Sequence, residues 1–365
     1  MSKKNTAEHK LGRRHWIVMA LLAMAGCGGG SGTTPNGAGA NDAGGGGSGG
    51  GSGNGSVTGG DTTAGAGSTA GDTHVAGAPG TGGTGAPQGS SPGTGGTGIF
   101  SHGSISAFGS VVLNGIHFDE TGARIQVDGA SSGRGDLRLG MVAGVQGERY
   151  ADGLTGRADS IEVWSIARGP VTASRAGQFT VLGMTINAQG STFWEGVGSS
   201  GPAVGQWVAV WGLQADASAS TWKATRVAVV SASNRVVATG MVSTSDGQYV
   251  LNGVVLSGDD AERLHKGRVT RIEGKWEAGD SRVEVLSHHE LDVRSENVSP
   301  STLVEIEGVV TSLLGSNRFV LGSVTVDASG LASDYAKLKT GMKLEVYGTW
   351  QGQVLKATEF ELEDD

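Results

Sequence analysis

The chain has 365 residues, of which 67 are glycine and 17% are charged, and its formal net charge is −8. With 27 Lys and Arg against 35 Asp and Glu, the balance argues against a phosphate backbone or an anionic membrane surface as the main partner. A single cysteine excludes a disulfide framework within the chain, so stability has to come from packing.

Lys3, Lys4, Lys10, Arg13 and Arg14 precede an apolar run from Trp16 to Ala25, after which small residues follow. That is the order of an export signal: charged start, short apolar core, cleavage site. About ten apolar residues are too few to span a bilayer, which takes about 20. Met24-Ala25-Gly26-Cys27 resembles the lipobox of bacterial lipoprotein signal peptides. The resemblance implies a diacylglyceryl group on the Cys27 thiol, cleavage before it, and acylation of the new amino group. Residues 1–26 are then the signal peptide. Gly28 stands where inner-membrane retention has an aspartate, so the resemblance implies the outer membrane. Ala23-Met24-Ala25 supports a second reading, cleavage before Gly26 and a soluble periplasmic or secreted protein. Arg13-Arg14-His15-Trp16-Ile17 also bears a partial likeness to a twin-arginine signal.

Residues 27–98 form the next segment, with 30 glycines in the 71 residues from Gly28 to Gly98 and no Leu, Ile, Met or aromatic residue. Such a composition cannot bury enough apolar surface to offset the entropy of ordering. It is expected to be a disordered Gly/Ser/Thr tether with an r.m.s. reach of about 45 Å.

Beyond it the chain repeats itself. "SVVLNGIHF" from Ser110, "FTVLGMTIN" from Phe179, "YVLNGVVL" from Tyr249 and "FVLGSVTVD" from Phe319 each join two apolar stretches through a two-residue turn. The turn pairs read as Asn114-Gly115, Gly183-Met184, Asn252-Gly253 and Gly322-Ser323, which suit the tight hairpin turns whose twist matches paired strands. A second signature follows each hairpin: "GMVAGVQG" from Gly140, "GQWVAVWG" from Gly205, "GRVTRIEG" from Gly267 and "GMKLEVYG" from Gly341. Its alternating apolar positions predict a half-buried strand. One further strand follows it, and one opening strand precedes each hairpin. Ser257–Gly267 and Ala332–Gly341 read as short helices before the fourth strand, while copies one and two have glycine-rich loops there.

The expected fold class is therefore all-β, four tandem OB-like five-stranded barrels over residues 99–166, 167–234, 235–300 and 301–365, with a β-sandwich as the alternative. The opening G-x-I strand, the Leu-Gly hairpin and the V-x-V-x-G strand also resemble a domain of unknown function found in tandem in proteobacterial envelope proteins, often behind a lipobox and a low-complexity linker. That resemblance implies the architecture and no catalytic residue, ligand or cofactor.

Candidate sites are sparse. His288, His289, Glu290 and Asp292 crowd nitrogen and carboxylate groups together, and Asp119, Asp128 and Asp136 could serve calcium, but solvent exposure and turn chemistry account for both sets. No metal site is expected. Trp207 and Trp211 lie on the opposite face of one strand from Val208 and Val210, so if the valines are core the indoles project outward. They form either a ligand face for sugars or protein, or packing against a neighbouring barrel. The expectation is a non-enzymatic binding or adaptor module held to a membrane through lipidated Cys27. Its partner would be an envelope polysaccharide or another envelope protein, and not nucleic acid. The alternative is a structural spacer or assembly component, with an enzyme a distant third.

Overall fold

The computed structural model describes residues 97–198, 201–291, 293 and 302–363. The signal peptide, Cys27 and nearly all of the tether lie outside the described residues, as does Asp292.

Each copy closes a five-stranded barrel. The first uses β1 (Thr97–Ala107), β2 (Val111–Leu113) and β3 (Ile116–Asp119), then an inserted hairpin of β4 (Arg124–Val127) and β5 (Ala130–Ser132), then β6 (Val142–Arg149) and β7 (Thr155–Val163). The second uses β8 (Ala167–Arg175), β9 (Gln178–Val181), β10 (Met184–Glu195), β11 (Trp207–Gln214) and β12 (Thr221–Val229). The third uses β13 (Arg235–Ser245), β14 (Gln248–Leu251), β15 (Val254–Ser257), β16 (Val269–Glu277) and β17 (Arg282–Glu290). The fourth uses β18 (Leu303–Gly315), β19 (Arg318–Leu321), β20 (Val324–Asp327), β21 (Lys343–Gln351) and β22 (Val354–Leu362), with a short helix α1 (Ala332–Tyr335) before β21. In every copy the third strand pairs parallel with the last, the last pairs antiparallel with the fourth, and the fourth returns to the first. That circuit is the OB-type closure, which removes exposed sheet edges. The expected all-β fold of small five-stranded barrels is the observed one.

The barrels join in two sheets, the first with the fourth and the second with the third. β1 lies parallel to β18, from Ile99 opposite Leu303 to His102 opposite Ile306. The second and third barrels share one apolar cluster that runs from Val171 and Phe179 to Ile272 and Val283.

The paired glycines of the repeated signature have separate causes. Gly140, Gly205, Gly267 and Gly341 have φ of +77°, +83°, +77° and +89°, a turn conformation that side chains strain to adopt. Gly147, Gly212, Gly274 and Gly348 each sit where the register between the last two strands shifts by one residue. At this bulge a Cβ on Gly147 would lie 1.9 Å from the Arg157 carbonyl oxygen, and one on Gly348 2.2 Å from that of Lys356. Gly147→Ala is therefore expected to lower the unfolding free energy by about 2 kcal/mol. Gly135→Ala, which meets nothing within 4 Å, should be close to neutral in the same denaturant titration.

Four expectations need correction. The turn of the second hairpin is Leu182-Gly183, not Gly183-Met184, because Val181 pairs with Met184. Slipping by one residue would turn Met184 and Ile186, both fully buried, out of the core. Leu182 accepts φ of +46° to keep that register. The glycine-rich loop of copy one holds the β4–β5 hairpin, which adds to β7 in parallel. In copy three the expected helix shrinks to a single 3-10 turn, Ala261–Arg263, and α1 in copy four is four residues long. Strand β1 also begins at Thr97, inside the segment expected to be tether, where Thr97 and Gly98 pair with Arg149 and Glu148.

Candidate ligand cavity between the barrels

Strand alternation that fills the first barrel also builds a wall outside it. On β1, β6 and β7 the residues Ile99, Val145 and Ile161 point into the barrel core. Phe100 and His102, Gly144 and Gln146, and Ser160 and Glu162 occupy the alternate positions and line a cavity of about 610 Å³. Gly144 keeps the wall low enough for the Phe100 ring, whose edge would be 3.4 Å from a Cβ there. The second barrel contributes Gln214 and Trp222, the third His289 and Glu290, and the fourth Ile306, Glu307 and Ser323. Residues from all four copies therefore face one space.

Among the described residues the cavity wall carries three carboxylates, Glu162, Glu290 and Glu307, and neither lysine nor arginine. Glu307 is buried and accepts the Ser104 N–H at 2.6 Å and its hydroxyl at 3.0 Å. Lys343 pairs with the same carboxylate. Glu290 meets the His265 ring, and Glu162 has Arg124 4.0 Å away at the surface. Burial holds the His102 imidazole below its ordinary range, with the Glu307 charge opposing. Its Nδ1 is buried with no hydrogen-bond partner among the described residues.

A clamp between the first and third barrels fixes another part of the wall. Trp164 stacks on His289 with centroids 5.4 Å apart, and the Arg271 guanidinium lies 4.9 Å from the centre of the Trp164 ring. Arg271, from β16, donates to Asp128 at 2.9 Å, to Glu273 at 2.7 Å and to the Ser165 carbonyl at 2.8 Å. Asp128 also accepts from the Ser165 N–H at 2.7 Å.

Where the first barrel meets the fourth, acids are buried. Glu305 and Glu345 are almost fully covered; the Ser101 hydroxyl donates to Glu305 at 3.3 Å and the Tyr347 hydroxyl to Glu345. Burial pushes Glu305 above the ordinary carboxylate range, while hydrogen bonds to Glu345, Tyr347 and Ser101 and the charge of Arg149 pull the other way. A carboxyl raised in the folded state favours folding while it is protonated. Its contribution is complete below the ordinary carboxylate range and is lost as pH rises through the raised value. Unfolding free energy of the native chain is expected to fall over that interval, and Glu305→Gln to flatten the slope; an unchanged slope in urea titrations across pH would contradict this.

Of the residues singled out from sequence, His289 and Glu290 line the cavity, and the others described lie elsewhere. Val208 and Val210 do face the core of the second barrel. Ala209, Trp211 and Leu213, on the other side of β11, join the apolar cluster of the first barrel. Trp211 is 6% exposed, and Arg226 lies 5.9 Å from its ring centre. The indole projects outward as alternation demands but is covered, so it offers no ligand face. Trp207 is half-buried against the shared cluster of barrels two and three. His288 and His289 are exposed. Asp119, Asp128 and Asp136 do not converge: Asp119 accepts the Thr121 N–H, Asp136 the Gly133 N–H, and Asp128 belongs to the Arg271 clamp. What sequence reasoning missed is the outward set beginning with Phe100 and His102, whose signal is an aromatic ring and an imidazole on the nominally polar face of the opening strand.

Residues 168–228 and 307–361 match a family described as a domain of unknown function (DUF5666). The two segments fall in the second and fourth barrels. No curated protein matches the chain. Among solved structures, a single-stranded DNA binding protein from Thermus aquaticus is 15% identical over 55% of this chain and 91% of its own, with a TM-score of 0.15. At that score the likeness carries no argument about this chain.

Proposed function

We propose that the protein is a cell-envelope lipoprotein, anchored through Cys27, that acts as a non-enzymatic binding or adaptor module with its ligand in the central cavity. The observation that carries this reading is the cavity itself, to which four repeats of one unit contribute and whose size falls in the roughly 300–1,000 Å³ of ligand sites. The outer membrane is the proposed location, reached through the acyl chains. An envelope polysaccharide or another envelope protein is the proposed partner. That the described wall residues include no lysine or arginine, in a chain of net charge −8, argues against a single-stranded nucleic acid, which needs a basic groove. A structural spacer is the competing reading, favoured by Trp211, whose burial packs two barrels together.

Two measurements test the proposal. Mass spectrometry of the native N-terminus should find diacylglyceryl Cys27, and an unmodified Gly26 start would refute the anchor. Ser323→Trp, at an exposed position of the cavity wall, should abolish ligand uptake without moving the thermal midpoint. Uptake unchanged by that plug would place the ligand elsewhere and favour the spacer.

A further inference from the structure

The cavity walls also bear on which ligand they suit. Glu162, Glu290 and Glu307 bring three carboxylates to one half-open space. Their neighbours Arg124, His265 and Lys343 are not among the residues that line it. Carboxylates gathered on one wall give the space a field of one sign, which favours cations and repels anions. The His102 imidazole, held neutral by burial, adds no positive charge, and its orphaned Nδ1 is a polar atom awaiting a partner.

We propose that the central cavity binds an ammonium group, carried either by a small free amine or by an amino sugar of an envelope polymer. This rests on the binding-module reading and narrows it. Of the three carboxylates Glu162 is the least neutralised: its one ion pair among the described residues is 4.0 Å long and both partners are well exposed. It is therefore the residue to test, since replacing it should disturb the fold least.

Isothermal titration of the full chain with putrescine, glucosamine, N-acetylglucosamine and succinate separates the possibilities. N-acetylglucosamine is glucosamine with the charge removed. Binding of glucosamine with none of its acetylated form, weakened about tenfold by Glu162→Gln at an unchanged thermal midpoint, supports the proposal. Putrescine binding as tightly as glucosamine identifies a free amine as the ligand type, and glucosamine alone identifies the polymer-borne one. Binding of N-acetylglucosamine or succinate at least as tight as that of the amines overturns the cation proposal, yet leaves the binding module standing if Ser323→Trp abolishes it. Silence from all four probes overturns the ammonium proposal and leaves the binding-module reading to the Ser323→Trp test.

Discussion

Trp211→Ala is expected to lower the unfolding free energy by about 3–5 kcal/mol, the range for deleting a large aromatic from a packed interior. The reason is that β11 is buried on both sides. Val208 and Val210 fill its own barrel, and Ala209, Trp211 and Leu213 pack with the first barrel, so losing the indole opens a cavity between two barrels. Trp211→Phe should cost much less, under about 1.5 kcal/mol, because it keeps most of the apolar volume. It also removes an Nε1–H that has no hydrogen-bond partner among the described residues. A free ligand face predicts the opposite pattern, with Trp211→Ala within about 0.5 kcal/mol of wild type, as for surface substitutions generally. Urea titrations of the three chains decide between them.

Arg271→Ala is expected to cost about 3 kcal/mol. Its guanidinium is 3% exposed and donates to two carboxylates and a carbonyl on two barrels. The estimate sits at the low end for a buried pair because Asp128 and Glu273 keep 24% and 37% of their side-chain surface in water, where solvent softens the loss. Arg271→Lys should not restore stability. A lysine has one nitrogen for three separated acceptors and cannot lie flat on the Trp164 ring. The same variants should loosen the Trp164–His289 stack in the cavity wall, which fluorescence of Trp164 in a chain with the other tryptophans replaced by phenylalanine would follow. If Arg271→Lys restores full stability, simple charge balance explains the clamp and its geometry is irrelevant.

The repeats were legible in the sequence because their causes are local. A two-residue turn demands residues that tolerate positive φ, and the bulge before the last strand leaves no room for a Cβ, so asparagine and glycine mark the same places in successive copies. The second hairpin was misread because the core phase of Met184 and Ile186 overrode the preference for glycine at the first turn position, leaving Leu182 there. The β4–β5 hairpin was missed because Asp128-Gly129 looks like loop chemistry, and its strands are three and four residues long.

The cavity was not legible for a different reason. Its walls come from outward-facing positions, where the two-residue period says only that a side chain leaves its own barrel. What it then meets depends on pairings such as β1 with β18, which join the two ends of the fold. For Trp211 the packing alternative is the one observed. Alternation set the direction of the Trp211 indole correctly, but nothing local announced that another barrel covers it.

The central claim is that one ligand site is shared by all four barrels. Hydrogen exchange of the full chain with and without glucosamine tests it most directly. The account predicts slowed exchange in β1, β6, β7, β17 and β18 and where β11 runs into β12, with the remote β14–β15 hairpin unchanged. Protection confined to the β11–β12 face, or none at saturating glucosamine, would contradict it.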